Sequence, residues 1–242
     1  MARRARYGFT IIELIVVILV ISLLIILFTP RVSGPHGISW RQECRNNTIQ
    51  LAICLILFEE HQGAFPAYCS KLSDMDVSWV VATFPYMEQN VLHREWSNPA
   101  VEPKPTSFIP LLHCPSDRLA DYSTNDPLLS YLVNTRVCSR EDDGDHGLAY
   151  SEIADGAAHT LLLSEGLRDS VPSGRRWTMT DQRYIGFRGE DNAGRPVALS
   201  DELSSNHDGG VHVMFADGHA HFLSDAIEDE VYKQLCDPRD NQ

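Results

Sequence analysis

The sequence predicts an α+β protein in which an N-terminal transmembrane helix leads into a second helix packed on an antiparallel β-sheet domain. Three observations predict it. An unbroken apolar run extends from Phe9 to Phe28, a second helical pattern occupies Ser39 to about His61, and strand-like runs separated by turn residues fill the later chain. Helices early and strands late read as α+β, with a long helix packed on an antiparallel sheet.

The first run holds 20 residues, about 30 Å as a helix at roughly 1.5 Å per residue, which matches the hydrocarbon thickness of a bilayer. Arg3, Arg4 and Arg6 precede it without an acidic residue, so the positive-inside bias places residues 1–8 in the cytoplasm and the chain beyond Pro30 outside, a single-pass topology. A cleaved secretory signal fits poorly, because its apolar region is about 7–15 residues and ends in a small-x-small site, whereas this run ends in Phe28-Thr29-Pro30-Arg31. A plain anchor explains the length but gives no reason for Glu13. That carboxylate lies only about 6 Å from the start of the run, close enough to reach the interface at modest cost.

Gly34, Pro35 and Gly37 then break the helical pattern, so residues 30–38 read as a hinge. The second helix is expected to start near Ser39, a plausible cap, and to run to Glu60 or His61. Its middle, Ile49 to Phe58, is apolar nearly all round and is expected deep in the domain. Gly63 and Pro66 end it. Ser78 to Gln89 reads as one or two short helices with Pro85 opening the second, and a proline-rich loop covers Asn98 to Pro110. Short strands are expected at Phe108–His113, Leu129–Val133, Thr160–Ser164 and Tyr184–Phe187.

The clearest local signal runs from Gly209 to Leu223. Asp217-Gly218 between two alternating runs predicts a hairpin closed by a two-residue type I′ turn, in which both turn residues take φ > 0. That turn pairs Ala216 with His219, Phe215 with Ala220, Met214 with His221 and Val213 with Phe222. One face then buries Val211, Val213, Phe215 and Phe222, and the other carries His212, Met214, His219 and His221. His212, His219 and His221 on one face form a candidate metal set, since zinc takes three or four such ligands; an ordinary polar face is the simpler reading. Asp142, Asp143 and Asp145 offer oxygen ligands of the kind calcium takes, but without the full EF-hand pattern a solvated loop is expected there, and no metal or cofactor is assigned.

Composition bounds the rest. The 242 residues are 43% hydrophobic, enough for one sizeable core beyond the anchor. The formal net charge is −13; without residues 1–8 the chain keeps 17 basic against 33 acidic side chains, a formal −16. Such a balance argues against nucleic acid and anionic lipid as partners and suits cations or basic proteins. The six cysteines, Cys44, Cys54, Cys69, Cys114, Cys138 and Cys236, contain no C-x-x-C pair. An oxidising compartment permits disulfides, but six cysteines allow 15 connectivities; buried thiols or one or two bridges are expected rather than a zinc–thiolate site. Ser164-Glu165-Gly166 is no nucleophile elbow, His207 has no evident partner beyond a ring hydrogen bond to its own loop, and no phosphate loop or dinucleotide fingerprint is present, so an enzyme is not expected.

Gly8-Phe9-Thr10-Ile11-Ile12-Glu13 after the arginines resembles the leader of type IV prepilins and pseudopilins. The resemblance implies that a prepilin peptidase cuts between Gly8 and Phe9 and methylates the new amino terminus, that Glu13 faces the amino group of a neighbouring pilin-like subunit during assembly, and that the fold is pilin-like. With the hinge at 30–38 read from its glycines and proline, the resemblance implies a leader at 1–8, a transmembrane and assembly helix at 9–29 and an extracytoplasmic domain at 39–242. His207 is followed by nine residues and then Asp217-Gly218, similar to the H-x9-DG signature of a large family of prepilin-like proteins of unknown function. Cys44-Arg45-Asn46-Asn47, Gly63-Ala64-Phe65-Pro66, Phe84 to Gln89, Cys114-Pro115-Ser116-Asp117 and Ile153 through Glu165 resemble the same family in order. Ser33 to Gly37 departs from it where a continuous polar helical stem is usual.

Two functions follow as expectations. One is a pilin-like or pseudopilin-like protein of the inner membrane, structural or interacting in a type II secretion or type IV pilus-like system. The other is a membrane-tethered module that binds a solute or cation outside the membrane.

Overall fold

In the computed structural model, residues 10–28, 36–117, 126–138, 146–166, 176–178 and 205–239 are described, and the chain divides at Pro35 into two units. Gly8, Phe9, the acidic residues Asp142, Asp143 and Asp145, and the Tyr184–Phe187 run lie outside the described residues.

The first unit contains helix α1, Ile11–Phe28, of 18 residues, about 27 Å long. No helix among the described residues is long and apolar enough to cross a membrane. Thr10 and Glu13 form a capping box. The Thr10 N–H and hydroxyl each donate to Glu13 Oε2 at 2.8 Å, and the Glu13 N–H donates back to Thr10 Oγ1 at 3.3 Å. Every described apolar side chain from Ile11 to Ile25 is between 45% and 80% exposed.

The second unit opens with α2, His36–Gln62, which starts earlier than Ser39 and carries Gly37 within its first turn. Its buried residues, Cys44, Thr48, Leu51, Ala52, Cys54, Leu55 and Phe58, lie on one broad face whose spine recurs every three or four positions. Ile53 is 48% exposed; the apolar middle of the helix is therefore buried on one side, not all round.

That face packs on an antiparallel sheet of order β3-β4-β5-β6, built from Tyr131–Val133, Leu161–Glu165, Gly210–Phe215 and Ala220–Ser224. The architecture is α+β. The central strand β4 is buried along its whole length, as expected of a strand flanked on both edges and covered by a helix. Asn134 ties the sheet to helix α5, Asp229–Cys236, by donating from Nδ2 to Leu161 O (2.7 Å) and Cys236 O (2.9 Å).

A separate hairpin joins β1, Cys69–Leu72, to β2, Met75–Ser78, through Ser73 and Asp74, both at positive φ (50° and 67°). The two-residue turn with paired positive φ therefore occurs here rather than at Asp217-Gly218. Helix α3, Trp79–Thr83, and a 3-10 helix, Phe84–Met87, follow, with Pro85 in the first turn of the second as expected. Helix α4 covers Asn90–Ser97. The strand expected at Phe108–His113 is instead a 3-10 turn at Pro110–Leu112, since proline pre-sets the first helical φ and removes a ladder donor. Trp177 is fully buried and packs edge-on against Phe84, with ring centroids 5.3 Å apart.

The β5–β6 hairpin exists, but its register differs from expectation by one residue. Gly218 alone of the turn residues has positive φ (89°), its N–H donates to Phe215 O at 2.9 Å, and the Phe215 N–H donates to His219 O at 3.1 Å. The turn is a three-residue loop, Ala216–Gly218, with glycine at its left-handed position. Met214 therefore pairs with Ala220, Val213 with His221 and His212 with Phe222. A one-residue slip exchanges faces, so His212 shares its face with Phe222 while His221 lies on the other. The expected three-histidine face does not form.

Candidate functional site

Four separated segments meet at one buried point. Cys44 lies on α2, Cys114 follows the 3-10 turn at Pro110–Leu112, Glu165 ends β4, and His207 stands in the loop that enters β5. One donor atom from each lies within 4.8 Å of the others.

Cys44 and Cys114 form a disulfide with Cα atoms 5.0 Å apart. It staples α2 to the segment that leads toward β3. His207 Nε2 is 3.3 Å from Glu165 Oε1, and these side chains are only 4% and 2% exposed. Cys114 Sγ lies 3.8 Å from both His207 Nε2 and Glu165 Oε1. The second carboxylate oxygen, Oε2, accepts the backbone N–H of His212 at 2.8 Å, which leaves Oε1 aimed at the histidine.

Local hydrogen bonds hold each member. Ser116 Oγ is 3.0 Å from Cys114 Sγ and 3.4 Å from His207 Nε2. Asp117 donates its N–H to Cys114 O (2.9 Å) and accepts the Ser130 hydroxyl at Oδ2 (2.9 Å), which closes the Cys114–Asp117 turn against the strand β3 approach. Asn206 Nδ2 donates to Ser116 O (2.6 Å), and the His207 N–H donates to Ser205 Oγ (3.1 Å). The loop bearing His207 is thus tied directly to the turn bearing Cys114.

The electrostatics follow from burial. Tyr131, paired with Glu165 across β3 and β4, has its phenol pushed well above the ordinary range by burial and then by the Glu165 charge, so it stays neutral. His212 packs edge-on to His207, with centroids 5.4 Å apart, and burial lowers its pKa against the opposing pull of Glu165. Its Nε2 is buried with no hydrogen-bond partner among the described residues. Arg41 lies 3.7 Å from the centroid of the Phe222 ring, which itself packs edge-on with His212.

Ser116 and Glu165 both approach the same ring nitrogen of His207. A serine relay needs the hydroxyl on one nitrogen and the carboxylate on the other, so this set is not arranged to activate Ser116. What it offers is two sulfurs, an imidazole nitrogen and a carboxylate oxygen converging in a dry place.

The H-x9-DG signature divides between two roles. His207 enters the buried site at one end of β5, while Asp217 and Gly218 close the hairpin at the other; the nine intervening residues are a two-residue lead-in, the strand and Ala216, the first residue of the turn. Asp217 is a turn residue whose Oδ1 accepts from the His219 N–H (3.0 Å) and lies 2.6 Å from His219 Nδ1. Burial would raise its pKa, but these bonds outweigh it and hold the carboxyl low. His219 stacks on Phe215, with centroids 4.2 Å apart, and His221 is exposed.

Sequence reasoning left His207 without a partner and missed Glu165 and the Cys44–Cys114 pair. Each of the four lies in a segment that the family resemblance singles out, but only the fold brings them together. A family model for a protein of unknown function (DUF1559) matches residues 41–230, and one for the prokaryotic N-terminal methylation motif matches residues 3–29. No curated protein and no solved structure matches the chain.

Proposed function

The chain belongs to the DUF1559 family of proteins of unknown function and opens on a prokaryotic N-terminal methylation motif, and from that premise we propose that it is a pilin-like subunit of the inner membrane, matured by a prepilin peptidase. The peptidase cuts between Gly8 and Phe9 and methylates the Phe9 amine. Phe9 and Thr10 extend the apolar run of α1 to 20 residues, enough to span the bilayer. Residues 1–8 face the cytoplasm, and the α+β domain stands on the extracytoplasmic side.

The observation that carries this reading is α1 itself, which has no polar face and exposes every described apolar side chain between Ile11 and Ile25. A helix apolar all round needs lipid or other helices around it. In a bundle of such subunits Glu13 would meet the methylated amine of a neighbour, each charge offsetting the other in lipid. The role is structural or interacting, in a type II secretion or type IV pilus-like system, and not enzymatic.

A second reading, a membrane-tethered module that binds a solute or cation, is favoured by the buried Glu165–His207 pair. The two separate by fractionating cells with and without a prepilin peptidase. Wild type should lose its leader only when the peptidase is present, and Gly8→Val should keep it. A chain that stays uncut in the presence of active peptidase sinks the pilin-like reading and leaves the tethered module.

A further inference from the structure

We propose that Cys44, Cys114, Glu165 and His207 form a zinc site gated by thiol–disulfide exchange: closed and metal-free while the disulfide is intact, and open to one zinc ion once it is reduced. The inference concerns the domain alone and does not depend on how the leader is processed.

The argument starts from ligand chemistry. Zinc takes four ligands tetrahedrally, with bonds of about 2.3 Å to sulfur and about 2.0–2.2 Å to nitrogen and oxygen. Those bonds place neighbouring N and O ligands about 3.4 Å apart, and S and N or O ligands about 3.6 Å apart. His207 Nε2 and Glu165 Oε1 are 3.3 Å apart, and Cys114 Sγ is 3.8 Å from each. Three edges of the tetrahedron are therefore already set, and Cys44 Sγ lies within 4.8 Å of the rest but is held against Cys114 Sγ by the disulfide, so it reaches the remaining corner only after reduction. The sulfur–sulfur bond is what prevents both sulfurs from acting as thiolates.

The surroundings suit a metal as well. Glu165 Oε2 is held by the His212 N–H, so the ligating oxygen is pre-aimed. Ser116 Oγ sits beside both Cys114 Sγ and His207 Nε2, in the place where an outer hydrogen-bonding group orients ligands. The four residues come from four segments that span the family match at 41–230. A mere staple between Cys44 and Cys114 would have no use for a buried carboxylate and imidazole against its sulfurs.

The steps balance. A dithiol delivers two electrons and two protons to the Cys44–Cys114 bond and is itself oxidised to a disulfide. Zinc then displaces the two thiol protons to solvent and is held by two thiolates, the Glu165 carboxylate and neutral His207. Two-electron oxidation of the thiolates by a disulfide re-forms the bond and releases the ion.

The test uses the full chain in detergent, with zinc alone as the probe. The oxidised chain, equilibrated with zinc and desalted, should retain no stoichiometric metal. After reduction with dithiothreitol under nitrogen and desalting, the same chain should retain about one zinc. Mass-spectrometric mapping should then find Cys44 and Cys114 shielded from alkylation until a chelator is added. Cys54, Cys69, Cys138 and Cys236 take no part in the disulfide, so metal held by the oxidised chain would report adventitious binding to them. Glu165→Gln and His207→Gln should each weaken zinc by more than the roughly 10–100-fold that loss of an outer-shell partner costs.

Circular dichroism separates unfolding from loss of a ligand. A reduced chain that is unfolded without metal and refolds with zinc supports the proposal. A reduced chain that binds no zinc, folded or not, overturns it. So does an oxidised chain that binds zinc equally well, or stoichiometric zinc retained after Cys44→Ser and Cys114→Ser together.

Discussion

Removing the disulfide by Cys44→Ala with Cys114→Ala should destabilise the domain by about 4 kcal/mol. The two cysteines are 70 residues apart in sequence, and closing a loop of that length in the unfolded chain removes roughly 15 cal/mol/K of entropy. The native packing lost is small, since alanine fills the Cβ position and both sites are already enclosed. For the second unit, His36–Gln242, at roughly 2.1 cal/mol/K of unfolding entropy per residue, that loss lowers Tm by about 10 °C. The assay is urea and thermal unfolding of the full chain in detergent with a chelator present, followed by tryptophan fluorescence, which reports on the buried Trp79, Trp96 and Trp177. A thiol titration of the denatured, unreduced wild type should find four thiols, those outside the Cys44–Cys114 bridge, rather than six. A stability loss below about 1 kcal/mol, or six titratable thiols, would refute the argument that this bridge fastens α2 to the sheet.

Gly210→Ala should be among the most damaging single changes: at φ 153° a Cβ would meet Leu223 O at 2.0 Å, and parting β5 from β6 costs about 3 kcal/mol, read as a lowered urea midpoint. Glu13→Gln keeps a side chain able to complete the capping box with Thr10 but removes the charge, whereas Glu13→Ala removes both. If the charge serves assembly, both variants should fail to co-assemble in cross-linking while the domain melts as wild type; normal assembly by Glu13→Gln would leave Glu13 as a cap only. The folded state holds His212 below its ordinary pKa through burial, so the unfolded chain binds the extra proton. Stability should therefore be complete above the unfolded value near 6.5 and fall as pH drops through it towards the lower folded value. His212→Gln should flatten that fall in Tm between pH 7.5 and 5.5, and an unchanged slope would assign it to other groups.

Much of the fold is legible in the sequence wherever a single local rule decides. Apolar spacing marks α2, Pro85 marks the turn after α3, and the run before Glu165 marks β4. The misreadings have local causes too. Asp-Gly suits a two-residue turn, but a three-residue loop needs the same glycine once, and that choice moves every partner of β5 by one. The β1–β2 hairpin leaves little trace in the sequence, because Ser73-Asp74 carries no glycine or asparagine and its strands have four residues each. Pro110 turned an expected strand into a 3-10 turn. The buried site was illegible for another reason. Cys44, Cys114, Glu165 and His207 are separated by dozens of residues, no pair has a metal-ligand spacing, and only the docking of α2 on the sheet brings them within reach.

The central claim, that this is a matured pilin-like subunit, is tested most directly by intact mass and N-terminal sequencing of the membrane-extracted protein made with and without a prepilin peptidase. The account predicts a peptidase-dependent chain that begins at methylated Phe9. A chain that still begins at Met1 or Ala2 beside an active peptidase would contradict it.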